Sequence, residues 1–278
     1  MLKPEKTPYF VDATWLAENL SDPNIRVLDG TWCVPGSDAD LPDGVIPGAR
    51  FFDLGYLKSK SSLGDAYPPT DVMKSMAEKL GLKSENHIVI YDKQGYFSAP
   101  RIWWCFKTIG HEKVSILRGG LPEWIAKAYE IALDHHQAAS KSVYETSTNS
   151  VNGVTVETVL DAIETDTQII DARPASRFSG QSAEPREGLR SGHIPGSINL
   201  PLGQLKNSQG ELLESNEIRQ VLIDNNIDMN KPIITSCGSG VTAAALALIF
   251  EHLGAEDVSV YSGSWAEYGA SDHPIETS

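Results

Sequence analysis

The chain has 278 residues, 41% of them hydrophobic, enough for one large domain core or two ordinary ones. Its 23 Lys+Arg stand against 37 Asp+Glu, a formal net charge of -14, which argues against nucleic acid and anionic membrane as partners because phosphate binding needs clustered positive charge. Three cysteines, Cys33, Cys105 and Cys237, are too few for a disulfide framework and lack metal-ligand spacing; no metal is expected, and the reduced cytoplasm is the expected compartment. The N-terminal residues carry no apolar leader, and no stretch approaches the roughly 18 apolar residues of a membrane-spanning helix, so a soluble, unanchored chain is expected.

In chain order, Asp12 or Thr14 is placed to cap a helix through Trp15 to Leu20, and Val27–Asp29 reads as a strand. Ile46–Arg50 forms a turn, a helix starts at Asp71 and stops near Gly81, and His87–Asp92 is a strand. Ala99–Ile109 is a helix whose Trp103-Trp104 pair suits a core better than a ligand platform, and Lys113–Leu117 is a strand. The segment from 132 to 152, rich in Ser, Thr, Ala and His, reads as a linker. His135 and His136 within it have no ligand partner at useful spacing.

The second half repeats the first. Ile169–Ala172 answers Val27–Gly30, Ile194–Ser197 answers Ile46–Ala49, and Val258–Tyr261 answers Val114–Leu117. Matched residues lie 148 apart at Ile46 and Ile194, 145 apart at Asp92 and Cys237, and 144 apart at Ser115 and Ser259, a steady offset that signals domain duplication. Each half alternates strands with helices, so each is expected to be an α/β unit with a mainly parallel sheet flanked by helices. The expected domains are 1–131, a linker at 132–152, and 153–278. No G-x-G-x-x-G follows an early strand, which argues against a dinucleotide domain.

The repeat breaks in two places. Cys237 falls opposite Asp92, which offers no sulfur nucleophile, so the first half is expected to be catalytically silent. Asp29 to Val45 spans 16 positions where Asp171 to His193 spans 22, and the insertion lies in a loop bearing Arg177, Arg186 and Arg190. Guanidinium groups suit small carboxylates through bidentate hydrogen bonds, although loop arginines are more often simply solvated. His193 suits a structural turn better than a base, Cys105 suits a core, and Cys33 has no evident place.

The stretch with the sharpest chemical signal is Ile233–Thr242, followed by Ala243–Phe250: a short apolar strand after Pro232, a cysteine, two glycines in three residues, then an alanine-rich helix stopping near Gly254. A cysteine at the carboxyl end of a parallel strand faces the crevice where such sheets bind ligands. The glycines let successive backbone N–H groups converge, and the helix adds its positive end, so a Cys237 thiolate is favoured there. An inert buried cysteine beside an ordinary turn is the bland alternative.

Cys237-Gly238-Ser239-Gly240-Val241-Thr242 resembles the active-site loop of the 3-mercaptopyruvate sulfurtransferases, within the rhodanese superfamily. The likeness runs along nearly the whole chain and includes Arg177-Phe178 and Glu184-Pro185-Arg186. It implies two rhodanese-like domains from an internal duplication, the first inactive, with the site in the cleft between them. It further implies that Cys237 takes sulfur as a persulfide, that Gly238, Gly240, Val241 and Thr242 cradle it, and that Arg177 and Arg186 hold the substrate. Ser239 would contact substrate or help deliver a proton. The expected partners are a small anionic sulfur donor and a thiol, cyanide or thioredoxin-like acceptor, with no cofactor. The alternatives are a thiosulfate:cyanide sulfurtransferase, whose relatives carry basic residues where Gly238 and Ser239 stand, a related phosphatase, which would need an arginine where Ala243 stands, and a non-enzymatic sulfur-relay or regulatory module, against which the arginine-bearing insertion argues. In some relatives the loop serine is proposed to work with an N-terminal-domain histidine in an H-I-P-G-A stretch. Here Val45 occupies that position, leaving Asp38, Asp40 or Asp43 as the nearby polar groups.

Overall fold

The computed structural model describes residues 7–34, 40–147 and 152–277. They fall into two compact units, Met1–Lys60 with Pro68–Ser150, and Ser61–Tyr67 with Val151–Ser278. Asp38 and residues 148–151 of the expected linker lie outside the described residues.

The first unit runs β1 (Phe10–Val11), α1 (Ala13–Asn19), β2 (Ile25–Asp29), β3 (Arg50–Phe51), α2 (Leu54–Lys60), α3 (Thr70–Lys79), β4 (His87–Tyr91), α4 (Ala99–Thr108), β5 (Val114–Leu117) and α5 (Gly120–Ala126). Its sheet has the order β1-β5-β4-β2-β3 with every pairing parallel. Of the two candidate caps for α1 it is Asp12 that serves: its Oδ1 accepts the Trp15 N–H at 2.7 Å. Trp103, Trp104 and Cys105 are buried within α4, as apolar helix residues should be.

The second unit follows the same plan: β6 (Asn152–Val154), α6 (Val156–Ala162), β7 (Gln168–Asp171), α7 (Ala175–Phe178), β8 (Ile198–Asn199), a 3-10 turn at Leu202–Leu205, α8 (Ser215–Asp224), β9 (Ile233–Ser236), α9 (Val241–His252), β10 (Val258–Tyr261) and α10 (Ser264–Tyr268). The order β6-β10-β9-β7-β8 reproduces the first sheet, again all parallel. Each unit is therefore a five-stranded parallel sheet flanked by helices, as the duplication predicts. Central strands β9 and β4 are buried along nearly their whole length, which is why they read as continuous apolar runs.

Helix α9 buries nine of its twelve residues, Val241 and Ala243–Phe250. Its alanines let the helix lie close on the sheet, while Leu246, Leu248, Ile249 and Phe250 each contribute about 1.5–3 kcal/mol by burial. It closes with the N–H groups of Gly254 and Ala255 bonded back to the Glu251 and Phe250 carbonyls, at 3.1 and 2.9 Å.

Residues 132–147 lie along the first unit. Ala132 exchanges both backbone hydrogen bonds with Val45, the His136 N–H donates to Ala49 O, and the Ser147 N–H donates to Ile109 O. Tyr144 is fully buried, its hydroxyl 2.5 Å from Nδ1 of His111. Burial is the main influence on His111 and holds its pKa down to about 4, so this contact is made by a neutral ring at neutral pH.

Candidate functional site

Strand β9 ends at Ser236, and Cys237 is the first residue beyond it, at the carboxyl end of the central strand. The chain turns through Gly240, whose φ of 80° lies in the left-handed region that favours glycine, and α9 begins at Val241. This tight turn folds the backbone over the sulfur. The Gly240 N–H donates to Cys237 Sγ at 3.1 Å and the Ser239 N–H at 3.4 Å. Cys237 is 2% exposed. Burial is the largest influence on its thiol and pushes the pKa up, as does the Asp171 carboxylate. The Thr242 hydroxyl and the N–H groups of Ser239 and Ala243 outweigh them, so the pKa lies below the ordinary thiol value. The arrangement can hold a negative sulfur in a nearly dry site.

Ser264, which no motif in the sequence marks, completes the floor. Its hydroxyl accepts the Cys237 N–H at 3.2 Å, donates to Tyr261 O at 2.8 Å and lies 3.9 Å from Sγ. It has φ of 51°, an uncommon conformation for a residue with a side chain, costing on the order of 1–3 kcal/mol. The repeat held a signal: the position 144 earlier is Gly120, with φ of 57°. The second unit keeps the left-handed turn but places a hydroxyl beneath its cysteine.

The inserted loop builds an ionic network beside this turn. Arg173 is 1% exposed and lies over the Trp265 ring, 4.2 Å from its centroid. Its Nε donates to Asp171 Oδ2 at 2.8 Å, its Nη1 to Glu184 Oε1 at 2.8 Å and its Nη2 to Gly192 O at 2.8 Å. Glu184 also accepts from Nε of Arg177 at 3.2 Å and pairs with Arg177 Nη2. Arg177 is thereby held against the loop: its Nη2 lies 3.0 Å from where a Cβ on Gly238 would stand. A basic side chain at position 238 would compete for the space the Arg177 guanidinium occupies. Arg186 is exposed, and among the described residues its side chain has no polar partner. Arg190 instead ties down the C-terminal tail, donating to His273 O at 2.8 Å.

Other candidates resolve into structural parts. His193 is buried, stacked on Phe178 at 3.8 Å, with Nδ1 2.8 Å from Phe178 O. Val45 is buried in its bridge to Ala132. Asp40 and Asp43 are exposed. His135, for which the spacing offers no partner, lies 2.9 Å from Asp29 Oδ2. Among the described residues no group of His, Cys, Asp and Glu could hold a metal.

In the first unit the matching loop is filled by its own side chain. Asp92 Oδ2 accepts the N–H groups of Phe97, Ser98 and Ala99 at 2.8–2.9 Å, and Oδ1 that of Gln94 at 3.0 Å. Seven positions separate Asp92 from the first residue of α4, against four between Cys237 and α9, so this loop is longer and wraps around a carboxylate.

The rhodanese-like domain family matches the chain twice, at residues 12–127 and 155–271. The 3-mercaptopyruvate sulfurtransferase of Escherichia coli K12 is 40% identical over 279 residues, spanning 97% of this chain and 98% of that protein. The Homo sapiens 3-mercaptopyruvate sulfurtransferase is 35% identical over 280 residues, spanning 96% and 94%. The crystal structure of SseA from Escherichia coli matches with a TM-score of 0.81 at 39% identity, covering 93% of this chain and 99% of that one. Two matched domains, two copies of one sheet topology and these near full-length likenesses have a single reading: the chain belongs to the rhodanese family, as a tandem duplication of its domain.

Proposed function

We propose that this protein is a 3-mercaptopyruvate sulfurtransferase with Cys237 as its nucleophile. The observation that carries the reading is the Cys237 thiol, buried yet surrounded by donors that favour its anion. The thiolate attacks the sulfur of 3-mercaptopyruvate, and an S–S bond forms as the C–S bond breaks. The electron pair leaves as the enolate of pyruvate, which takes a proton at carbon to become pyruvate. The transferred sulfur remains as the outer atom of a Cys237 persulfide, which Gly238, Ser239, Gly240, Val241 and Thr242 surround. A thiol, cyanide or thioredoxin-like acceptor then attacks that outer sulfur and restores the thiolate. No cofactor takes part in these steps. All three cysteines are free, which suits a reducing cytoplasm. The first unit is silent because Asp92 occupies the loop a sulfur anion would need. Pyruvate release from 3-mercaptopyruvate, set beside thiocyanate formation from thiosulfate and cyanide, tests the assignment: a clear preference for thiosulfate would reverse it.

Arg186 and Arg177 recognise the substrate carboxylate and carbonyl. Glu184 already neutralises Arg177, whereas Arg186 has its charge available. Arg186→Ala should lower kcat/KM for 3-mercaptopyruvate about ten- to hundred-fold, the about 1.5–3 kcal/mol of a charge-assisted contact, and affect thiosulfate less. Equal losses for both donors would remove Arg186 from carboxylate recognition.

Ser239 positions substrate or water by hydrogen bonding, since Val45 supplies no proton relay. Ser239→Ala should slow single-turnover pyruvate release by about 0.5–1.5 kcal/mol, well short of the roughly 10²–10⁴-fold that general acid–base catalysis supplies. A loss of three orders of magnitude, with loss of a titration in the histidine range, would show that a relay exists.

A further inference from the structure

A cavity of about 220 Å³ in the first unit gathers two arginines against a single carboxylate, Asp22. Its lining includes Ser21, Asp22, Arg26, Arg50 and His136. Leu28 on β2 pairs with Arg50 on β3, and Arg26 stands two residues before Leu28, so the two arginines are diagonal neighbours on one face of the sheet. Each guanidinium gives one N–H to a backbone carbonyl, Arg26 Nη1 to Ile25 O at 2.8 Å and Arg50 Nη1 to Leu80 O. The Nε of both is buried without an acceptor. Among the described residues neither arginine has a carboxylate within ion-pair distance. Asp22 spends its Oδ1 on the backbone and side-chain N–H groups of Asn24, at 2.8 and 3.0 Å.

Water alone would leave the two like charges facing each other, in a chain whose net charge is -14. Burial, and then the charge of Arg26, hold the Arg50 pKa below its ordinary value. We infer that this cavity is a second anion site, separate from the Cys237 loop, that takes a small free oxyanion of the sulfate or phosphate class. Planar guanidinium forks match tetrahedral oxyanions in pairs, and His136 lines the same cavity. The volume is below the roughly 300–1,000 Å³ of sites for larger ligands, which favours an ion of a few atoms.

The test is calorimetric titration of the full chain with inorganic sulfate, and in parallel with inorganic phosphate, at an ionic strength held constant with chloride. Inhibition of sulfur transfer by sulfate is measured alongside, as a report on the Cys237 loop. Arg26→Gln and Arg50→Gln should each weaken calorimetric affinity about ten- to hundred-fold, with turnover and the inhibition constant unchanged. If Arg50→Gln unfolds by releasing the Leu80 carbonyl, Arg26→Gln carries the test, because its own bond reaches only the neighbouring residue. Unchanged affinity in a folded Arg26→Gln protein, binding removed only by Arg186→Ala, or no saturable binding in the wild type would each overturn the site without touching the sulfurtransferase assignment.

Discussion

Replacing Cys237 with serine should abolish pyruvate release from 3-mercaptopyruvate, by on the order of the 10⁶-fold seen when a covalent nucleophile is removed. The size follows from the chemistry. A serine hydroxyl stays protonated at neutral pH, and the donors from Ser239, Thr242 and Ala243 that lower the thiol pKa have no alkoxide to stabilise. The fold should survive, because serine differs from cysteine by one atom and the N–H groups of Ser239 and Gly240 still meet an acceptor. Matching circular dichroism and unfolding midpoints would establish that. Retention of even a hundredth of wild-type turnover by a folded Cys237→Ser protein would place the nucleophile elsewhere.

The second large effect concerns stability. Arg173→Leu should destabilise the second unit by about 3–5 kcal/mol, the range for removing one partner of a buried ion pair. Asp171 and Glu184 have side chains 2% and 1% exposed, and both depend on the Arg173 guanidinium. Glu184 keeps Arg177, but Asp171 loses the Nε and Nη2 of Arg173, the latter only 2.7 Å away. The pair also has a link to chemistry. Asp171 raises the Cys237 pKa, so removing its counter-charge should move the pH profile of Cys237 alkylation upward. Denaturant unfolding and alkylation rates across pH read the two effects separately. A loss under about 1 kcal/mol with an unmoved profile would mean that Arg173 is ordinary packing. Pairing Arg173→Leu with Asp171→Asn should recover much of the stability, since no uncompensated charge then remains.

Much of this architecture is legible in the residues because local rules and tertiary demands agree. The run from Ile233 to Phe250 shows strand, turn and helix through its Pro, Gly and Ala spacing, and the structure adds only ends, α9 beginning at Val241 and closing at His252. The duplication is legible because strand–turn pairs recur at nearly constant offset, and two sheets of identical order carry it out. What stays hidden depends on distance in the chain. Arg173 looks like any residue before a proline, and only folding brings Glu184 and Gly192 to it. Arg177 reads as a free loop arginine until Glu184 is seen to hold it. The composition of 132–147 suggests a loose connection, but Tyr144 and the backbone bonds to Val45 and Ala49 fasten it to the first unit. Ser264 is hidden because its importance lies in a left-handed φ that no residue type announces.

The central claim, that Cys237 carries the transferred sulfur, is tested most directly by mass spectrometry of wild-type protein after one equivalent of 3-mercaptopyruvate and no acceptor. The expected result is one added sulfur per chain, mapped to the peptide containing Cys237, one pyruvate released for each, and loss of that sulfur on adding cyanide. Sulfur on Cys33 or Cys105 with Cys237 unmodified, or pyruvate released without any protein-bound sulfur, would contradict it.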